Sequence, residues 1–134
     1  MSQHLLMIED DARLAGMVAE YLEQNAFKVS HCPSGTSGLD YLRQPAAKQA
    51  SVDLVILDLM LPDMDGLEVC RRIRALDGPQ ARTPVLMLTA KGFELEHAEL
   101  MNKWGIIDIV AKPFSPRELV RKIDQIVGTM PASA

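Results

Sequence analysis

The stretch Val55-Ile-Leu-Asp58-Leu-Met-Leu-Pro62-Asp63-Met-Asp65-Gly66 decides the fold. It opens as an apolar run from Leu54 to Leu57, short and apolar at every position, which predicts a strand buried on both faces. It closes in the turn chemistry of Pro62 to Gly66. Asp58 therefore stands at the C-terminal lip of a central strand, where open α/β sheets keep their ligands and their chemistry. A single aspartate at such a lip is ordinarily a loop or cap residue, so its meaning depends on what the rest of the chain brings to it.

Upstream, Leu5 to Ile8 predicts a short buried strand that runs into three acids, Glu9, Asp10 and Asp11. Apolar residues then recur at Leu14, Met17, Val18, Tyr21 and Leu22, the spacing of an amphipathic helix, with Asp11 placed to cap it. Phe27 to His31 predicts a second strand, and Ser34 to Gly38 opens a weaker helix with Leu39 and Leu42 that fades at Pro45. Gly35 and Gly38 fit neither GxxxxGK[ST] nor GxGxxG, so no phosphate loop is indicated.

Downstream, Asp65 and Glu68 form a D-x-x-E capping pattern, Val69, Cys70, Ile73 and Leu76 supply a helical stripe, and Gly78-Pro79 stops it. Val85 to Leu88 predicts a fourth strand ending at Thr89-Ala90-Lys91. A helix with a ragged apolar stripe is expected over 93–104, then a strand from Ile106 to Ala111 followed directly by Lys112-Pro113-Phe114. The last helix is the best marked, with Ser115 as N-cap, Pro116 at the first helical position and Glu118 completing a capping box before Leu119, Val120, Ile123, Ile126 and Val127. Gly128 onward reads as a frayed tail or the start of a linker. Five strand/helix pairs with right-handed crossovers predict a single doubly wound parallel α/β sheet, flavodoxin-like, in the order 2-1-3-4-5, with helices on both faces.

Composition bounds what such a domain does. At 134 residues the chain is one domain, with 1–128 as its body and 129–134 as a C-terminal tail. Apolar residues make up 48% and aromatic ones 4%, so the core must be aliphatic. A net charge of -4 with no basic stripe argues against direct nucleic-acid binding. No apolar run approaches the roughly 20 residues of a membrane span, and the N-terminus has no signal-peptide core, so a cytoplasmic location is expected. Cys32 and Cys70 lack metal spacing and read as reduced, packed thiols; His4, His31 and His97 read as surface or edge residues.

In the predicted strand order, strands one and three are neighbours, so Glu9, Asp10 and Asp58 converge. Three carboxylates in one place require a proton or a cation, and an all-oxygen set favours Mg²⁺. The next strand ends bring Thr89, a hydroxyl, and Lys112, an ammonium on a long stem. A cation, a hydroxyl and an ammonium around a carboxylate suit a phosphoryl group in transit, and carboxylates are known nucleophiles toward phosphorus. Taken singly the residues have plainer readings. Asp10 and Asp11 are suitable helix caps, which is the preferred reading of Asp11. Thr89 fits an ordinary strand end and Lys112 a surface position. Asp63 and Asp65 fit turn and cap geometry, and Asp53 and Asp108 strand edges.

Glu9-Asp10, Leu57-Asp58 with Met60 to Gly66, Leu88-Thr89-Ala90 and Lys112-Pro113-Phe114, in that order at four strand ends, closely resemble the receiver domain of bacterial two-component response regulators. The resemblance spans essentially the whole chain. It implies that Asp58 is the phospho-acceptor, Asp10 a direct Mg²⁺ ligand, Glu9 an outer or water-bridged partner, and the main-chain carbonyl of Met60 a further ligand. It implies Thr89 as the hydroxyl that reports the phosphoryl group, Lys112 as the cation bridging to it, and a cis Lys112–Pro113 bond. It also implies a phosphodonor, either a sensor histidine kinase or a phosphotransfer protein, and an output to an effector domain, a partner protein or a second copy of the chain.

The chain departs from the family pattern at Ile109, where an aromatic side chain is usual, and in an extra residue between Thr89 and Gly105. Both fall on the expected output face, made by the 93–104 helix, the fifth strand and the last helix, so acceptance is expected intact and propagation altered. Two other readings are carried: a receiver-like module that binds partners without phosphorylation, and an Asp-nucleophile phosphohydrolase. The second usually needs a D-x-D after its first strand, where this chain has Glu9-Asp10-Asp11.

Overall fold

The computed structural model describes residues 3–44, 51–89 and 102–129. Its five strands are β1 (His4–Ile8), β2 (Lys28–Cys32), β3 (Leu54–Asp58), β4 (Val85–Thr89) and β5 (Ile106–Ala111). They form one parallel sheet, as the alternation of strand and helix patterns implies, in the expected order β2-β1-β3-β4-β5. The helices are α1 (Ala12–Gln24), α2 (Gly35–Arg43), α3 (Gly66–Arg74) and the C-terminal helix (Pro116–Thr129), with a 3₁₀ turn at Pro79–Arg82. Of the helix expected over 93–104, residues 102–104 are helical and the remainder lies outside the described residues, as does the accommodation of the extra residue.

Three strands are buried along their whole length, and their side chains alternate between two cores. Leu6, Ile8, Val55, Leu57, Val85 and Met87 meet Leu39 and Leu42 of α2 and Val69, Cys70 and Ile73 of α3. Leu5, Met7, Leu54, Ile56, Leu86 and Leu88 meet Ala15, Val18 and Leu22 of α1 and Leu119, Val120 and Ile123 of the C-terminal helix. Each fully buried aliphatic side chain contributes about 1.5–3 kcal/mol, so the three central strands supply the main stabilisation that fixes where their tips lie.

Caps set the helix starts. Asp11 accepts from Leu14 N at 3.1 Å, Ser34 and Ser37 form a reciprocal capping box, and Asp65 accepts from Glu68 N at 2.8 Å. Glu68 does not complete a box with Asp65; its carboxylate pairs with Arg71 and Arg72 one turn on. Ser115 accepts from Glu118 N at 3.1 Å.

Several expectations need adjusting. β2 begins at Lys28 rather than Phe27, because Phe27 is buried as the chain turns in from α1. α3 ends at Arg74, four residues before Gly78; Leu76 still packs against the core, but from a bend. The C-terminal helix passes through Gly128 to Thr129. His4 is not at the surface: it is 3% exposed, its Nε2 lies 2.8 Å from Ser30 Oγ, and Tyr41 Oη lies 2.8 Å from the same hydroxyl. Its main-chain N–H donates to Asp53 Oδ2 at 2.7 Å, so Asp53 closes the start of β1.

The loop after β3 is held from two sides. Asp63 accepts from Gly35 N at 2.9 Å, Thr36 N at 2.8 Å and the Thr36 hydroxyl at 2.6 Å, so a turn residue of one loop serves the N-terminus of another helix. The Thr36 hydroxyl, with the two N–H groups, holds the Asp63 carboxyl down at about 2. Gly66 leaves no room for a side chain, since a Cβ would lie 2.8 Å from both the Asp58 carbonyl oxygen and Leu59 Cα. Chemical denaturation of Asp63→Ala at pH 7 is expected to show a loss of about 1 kcal/mol. Because the folded-state pKa is depressed, that difference is present above the ordinary value of 3.8 and vanishes as the pH falls toward about 2. Gly66→Ala forces main chain against main chain and is expected to cost about 1–3 kcal/mol in the same measurement.

Candidate functional site

Four strand tips meet at the C-terminal edge of the sheet. β1 ends into Glu9 and Asp10, β3 ends at Asp58, β4 at Thr89, and β5 runs into Lys112. The ladder fixes their relative depth: Ile8 pairs with Leu57, Asp58 with Leu88, and Thr89 with Ala111. Below them every side chain of β1, β3 and β4 is buried, so the tips are polar ends on an aliphatic slab.

Asp58 is 5% exposed and Glu9 is 0% exposed. Lys112 Nζ joins them, donating to Glu9 Oε1 at 2.7 Å and to Asp58 Oδ2 at 2.9 Å. The other Asp58 oxygen, Oδ1, accepts from Met60 N at 3.0 Å. Among the described residues Glu9 Oε2 is buried with no hydrogen-bond partner. Asp10 is exposed at the rim, and one carboxylate oxygen from each of Glu9, Asp10 and Asp58 lies within 4.8 Å of the others.

The charges in this cluster do not balance. Burial pushes the Glu9 carboxyl up, to about 7, reinforced by the neighbouring Asp58 carboxylate and opposed by Lys112. Burial also works against ionisation of Asp58, but the neighbouring Glu9 carboxyl and the hydrogen bonds from Lys112 and the Met60 N–H outweigh it and leave Asp58 below its ordinary value. Lys112 loses hydration on burial, which the two carboxylates more than offset, so its pKa is raised. One ammonium therefore serves two buried acids, and the second keeps a proton unless another cation arrives. The orphaned Glu9 oxygen and the all-oxygen donor set fit a hard divalent ion.

The structure brings Glu9, Asp10, Asp58 and Lys112 into one cluster and ties the Met60 main chain to Asp58. Thr89 is 2% exposed, one residue beyond Leu88, the ladder partner of Asp58; its carbonyl accepts from Lys112 N at 2.6 Å. The Lys112–Pro113 peptide is cis. The Met60 side chain points outward at 69% exposure. Ile109 is partly buried and packs against the α2/α3 core.

Sequence reasoning passed over His31, whose Nε2 donates to the Glu9 carbonyl at 2.6 Å. The strand order alone contained that signal: β2 flanks β1, and a residue near the end of β2 must lie near the end of β1.

Comparison with known proteins agrees with this geometry. The family model described as the response regulator receiver domain matches residues 5–124. The transcriptional regulatory protein ResD of Bacillus subtilis is 35% identical over 123 residues, which is 92% of this chain and 47% of that protein. The chain spans about half the length of the curated relatives it matches. A CheY-like response regulator receiver domain protein from Methanospirillum hungatei superposes with a TM-score of 0.80 at 23% identity, covering 96% of this chain and 95% of that one, a likeness of fold. The receiver domain of sensor histidine kinase PA1611 from Pseudomonas aeruginosa, solved with a magnesium ion coordinated in its active-site cleft, superposes with a TM-score of 0.76 at 26% identity, covering 96% of this chain and all 100% of that one. The acids after β1, Asp58 ending β3, the Thr89 hydroxyl and Lys112 in family order on a 2-1-3-4-5 sheet, with a family match over most of the chain, establish that this chain belongs to the response regulator receiver domains.

Proposed function

We propose that the chain is a phospho-accepting switch of a two-component system and that Asp58 is its acceptor. The observation that carries this reading is Lys112 Nζ held between Asp58 at 2.9 Å and the buried Glu9 at 2.7 Å, at the meeting of three strand tips. In the proposed reaction an Asp58 oxygen attacks the phosphorus of a phosphohistidine on a sensor histidine kinase or phosphotransfer protein. The P–N bond breaks and the imidazole leaves with a proton. Hydrolysis of the aspartyl-phosphate resets the switch, and self-phosphorylation and self-dephosphorylation are the only catalysis assigned to it.

Asp10, Asp58 and the Met60 carbonyl would hold Mg²⁺, with Glu9 outside them or reaching through water; the ion supplies charge neutralisation at the transferring group. The likeness to a receiver with magnesium in its cleft and the clustered carboxylates support this. Lys112 would bridge Asp58 to the phosphoryl group, and the Thr89 hydroxyl would register its arrival.

Output is assigned to the face of β5 and the C-terminal helix, together with the helix expected over 93–104. It would act on an effector domain, a partner protein or a second copy of the chain. Relatives named as transcriptional regulators, matched over half their length, support an effector partner. No described helix is long and apolar enough to cross a membrane, and a cytoplasmic site of action is part of the proposal. The net charge of -4 supports leaving nucleic-acid contact to other parts of such a system. Ile109, aliphatic and partly buried, favours an output that does not turn on a swinging ring at that position.

Incubation with acetyl phosphate and Mg²⁺ is expected to add one phosphate by intact mass and to add none to Asp58→Asn; an unchanged adduct on the variant would identify another acceptor, and no adduct on the wild type would favour a phosphorylation-independent module. Steady release of many phosphates per chain would favour the hydrolase.

The raised Glu9 pKa gives a second test. A buried acid whose folded pKa is raised stabilises nothing when ionised: below about 4.5 it is protonated in both states, and between there and about 7 the metal-free fold loses stability as the pH rises. Thermal unfolding in chelator is expected to show that decline, Mg²⁺ to abolish it, and Glu9→Gln to flatten it without metal. Mg²⁺ affinity should correspondingly rise with pH up to about 7.

A further inference from the structure

Arg74 closes α3, and every hydrogen bond its guanidinium makes among the described residues goes to a main-chain carbonyl. Nε donates to Trp104 O at 2.8 Å, Nη1 to Ala81 O at 3.0 Å and Thr83 O at 2.6 Å, and Nη2 to Gly105 O at 3.2 Å. Ala81 and Thr83 lead into β4, while Trp104 and Gly105 lead into β5. One planar fork thus fastens the starts of two strands to one helix, a task the point charge of a lysine does not match.

Gly105 is fitted to this fork. Its φ is 67°, a left-handed value natural to glycine, and a Cβ there would lie 2.6 Å from Nη2. The hold matters because β5 is an edge strand paired only with β4, and the pairing jumps directly after its first residue. Val85 pairs with Ile106, but Leu86 pairs with Asp108, leaving Ile107 out of register and 37% exposed. Beyond that break, main-chain bonding to Gly105 among the described residues is a single 3.2 Å bond from Val85 N.

The opposite end of α3 is fixed as closely. Gly66 N donates to Leu59 O at 2.6 Å, and Gly66 lies against the Asp58 carbonyl with no space for a side chain. α3 is therefore a strut of about 13 Å between the acceptor strand and the starts of β4 and β5.

We infer that Arg74 is a positioning residue, a clamp that makes Trp104 and Gly105 one rigid body with α3, so that Trp104, the last residue of the helix expected over 93–104, keeps its place when Asp58 and Thr89 change state and output is left to the rest of that face. The isolation rests on the acceptor reading of Asp58; the clamp itself does not. Trp104 is the sole tryptophan of the chain, so its emission reads the clamped segment directly.

The test compares wild type, Arg74→Met and Arg74→Lys by amide exchange and tryptophan emission, with and without Mg²⁺ and beryllofluoride. In the wild type, exchange at Val85 N–H and Trp104 emission should not change on adding the mimic. In Arg74→Met, Val85 should exchange about tenfold faster and Trp104 emission should respond to the mimic; Arg74→Lys should fall between, and decides the matter if the methionine variant does not fold. Equal Val85 exchange in all three proteins, or wild-type Trp104 emission responding as strongly as the variant's, overturns the inference. A wild type that takes up no phosphate from acetyl phosphate overturns the acceptor reading, and the Val85 comparison still decides the clamp.

Discussion

Two buried carboxylates and one half-buried ammonium, gathered at the tips of parallel strands, are the constraint around which this domain is arranged. Removing an acid from water is expensive, and an interior charge persists only with a partner held in good geometry. Lys112 partners Asp58 and Glu9 at once, which leaves one ammonium for two acids and, among the described residues, one Glu9 oxygen without a hydrogen-bond partner. A fully balanced cluster would be an inert core. On the proposed reading the shortfall is what makes the site receptive to a hard cation and to a phosphoryl group that reorganises the same charges.

Holding three strand tips in such a relation is the task of the aliphatic slab beneath them. Each buried strand sends alternate side chains into opposite cores, so neither face can shift without exposing the other. The loops that complete the site are restrained locally: Asp63 ties the loop after β3 to α2, and Gly66 brings α3 against the Asp58 backbone. The interior therefore determines the position of the tips, and short polar links determine the direction of the loops.

Much of this was legible in the chain. The apolar runs around Leu6, Ile56 and Met87 read as strands buried on both faces, and five strands alternating with helices favour the 2-1-3-4-5 order that the sheet has. Once order was known, Glu9, Asp10, Asp58 and Lys112 had to converge, as they do. The legible features share a cause: each follows from period, order or a cap rule that acts over a few residues. What was not legible depends on distant partners. His4 reads as a polar residue at a strand start, and only the juxtaposition of Ser30 and Tyr41 shows why it is buried. Arg74 reads as one of several arginines on α3, yet Arg71 and Arg72 pair with a neighbour one turn away while Arg74 reaches carbonyls that lead into both β4 and β5.

The buried His4 has a consequence for how the chain finds its pairing. β1 carries a polar residue at each end, His4 against Ser30 and Asp53, Glu9 against Lys112, with four apolar residues between. Aliphatic side chains alone discriminate poorly between neighbouring alignments of a strand hydrophobic on both sides, because a slip by two positions still buries them. With a polar group at both ends, any misalignment strands an imidazole at one pole and a carboxylate at the other simultaneously. The strand is thus proofread at both termini, and the pole remote from the chemistry guards the placement of the acid on which that chemistry would depend.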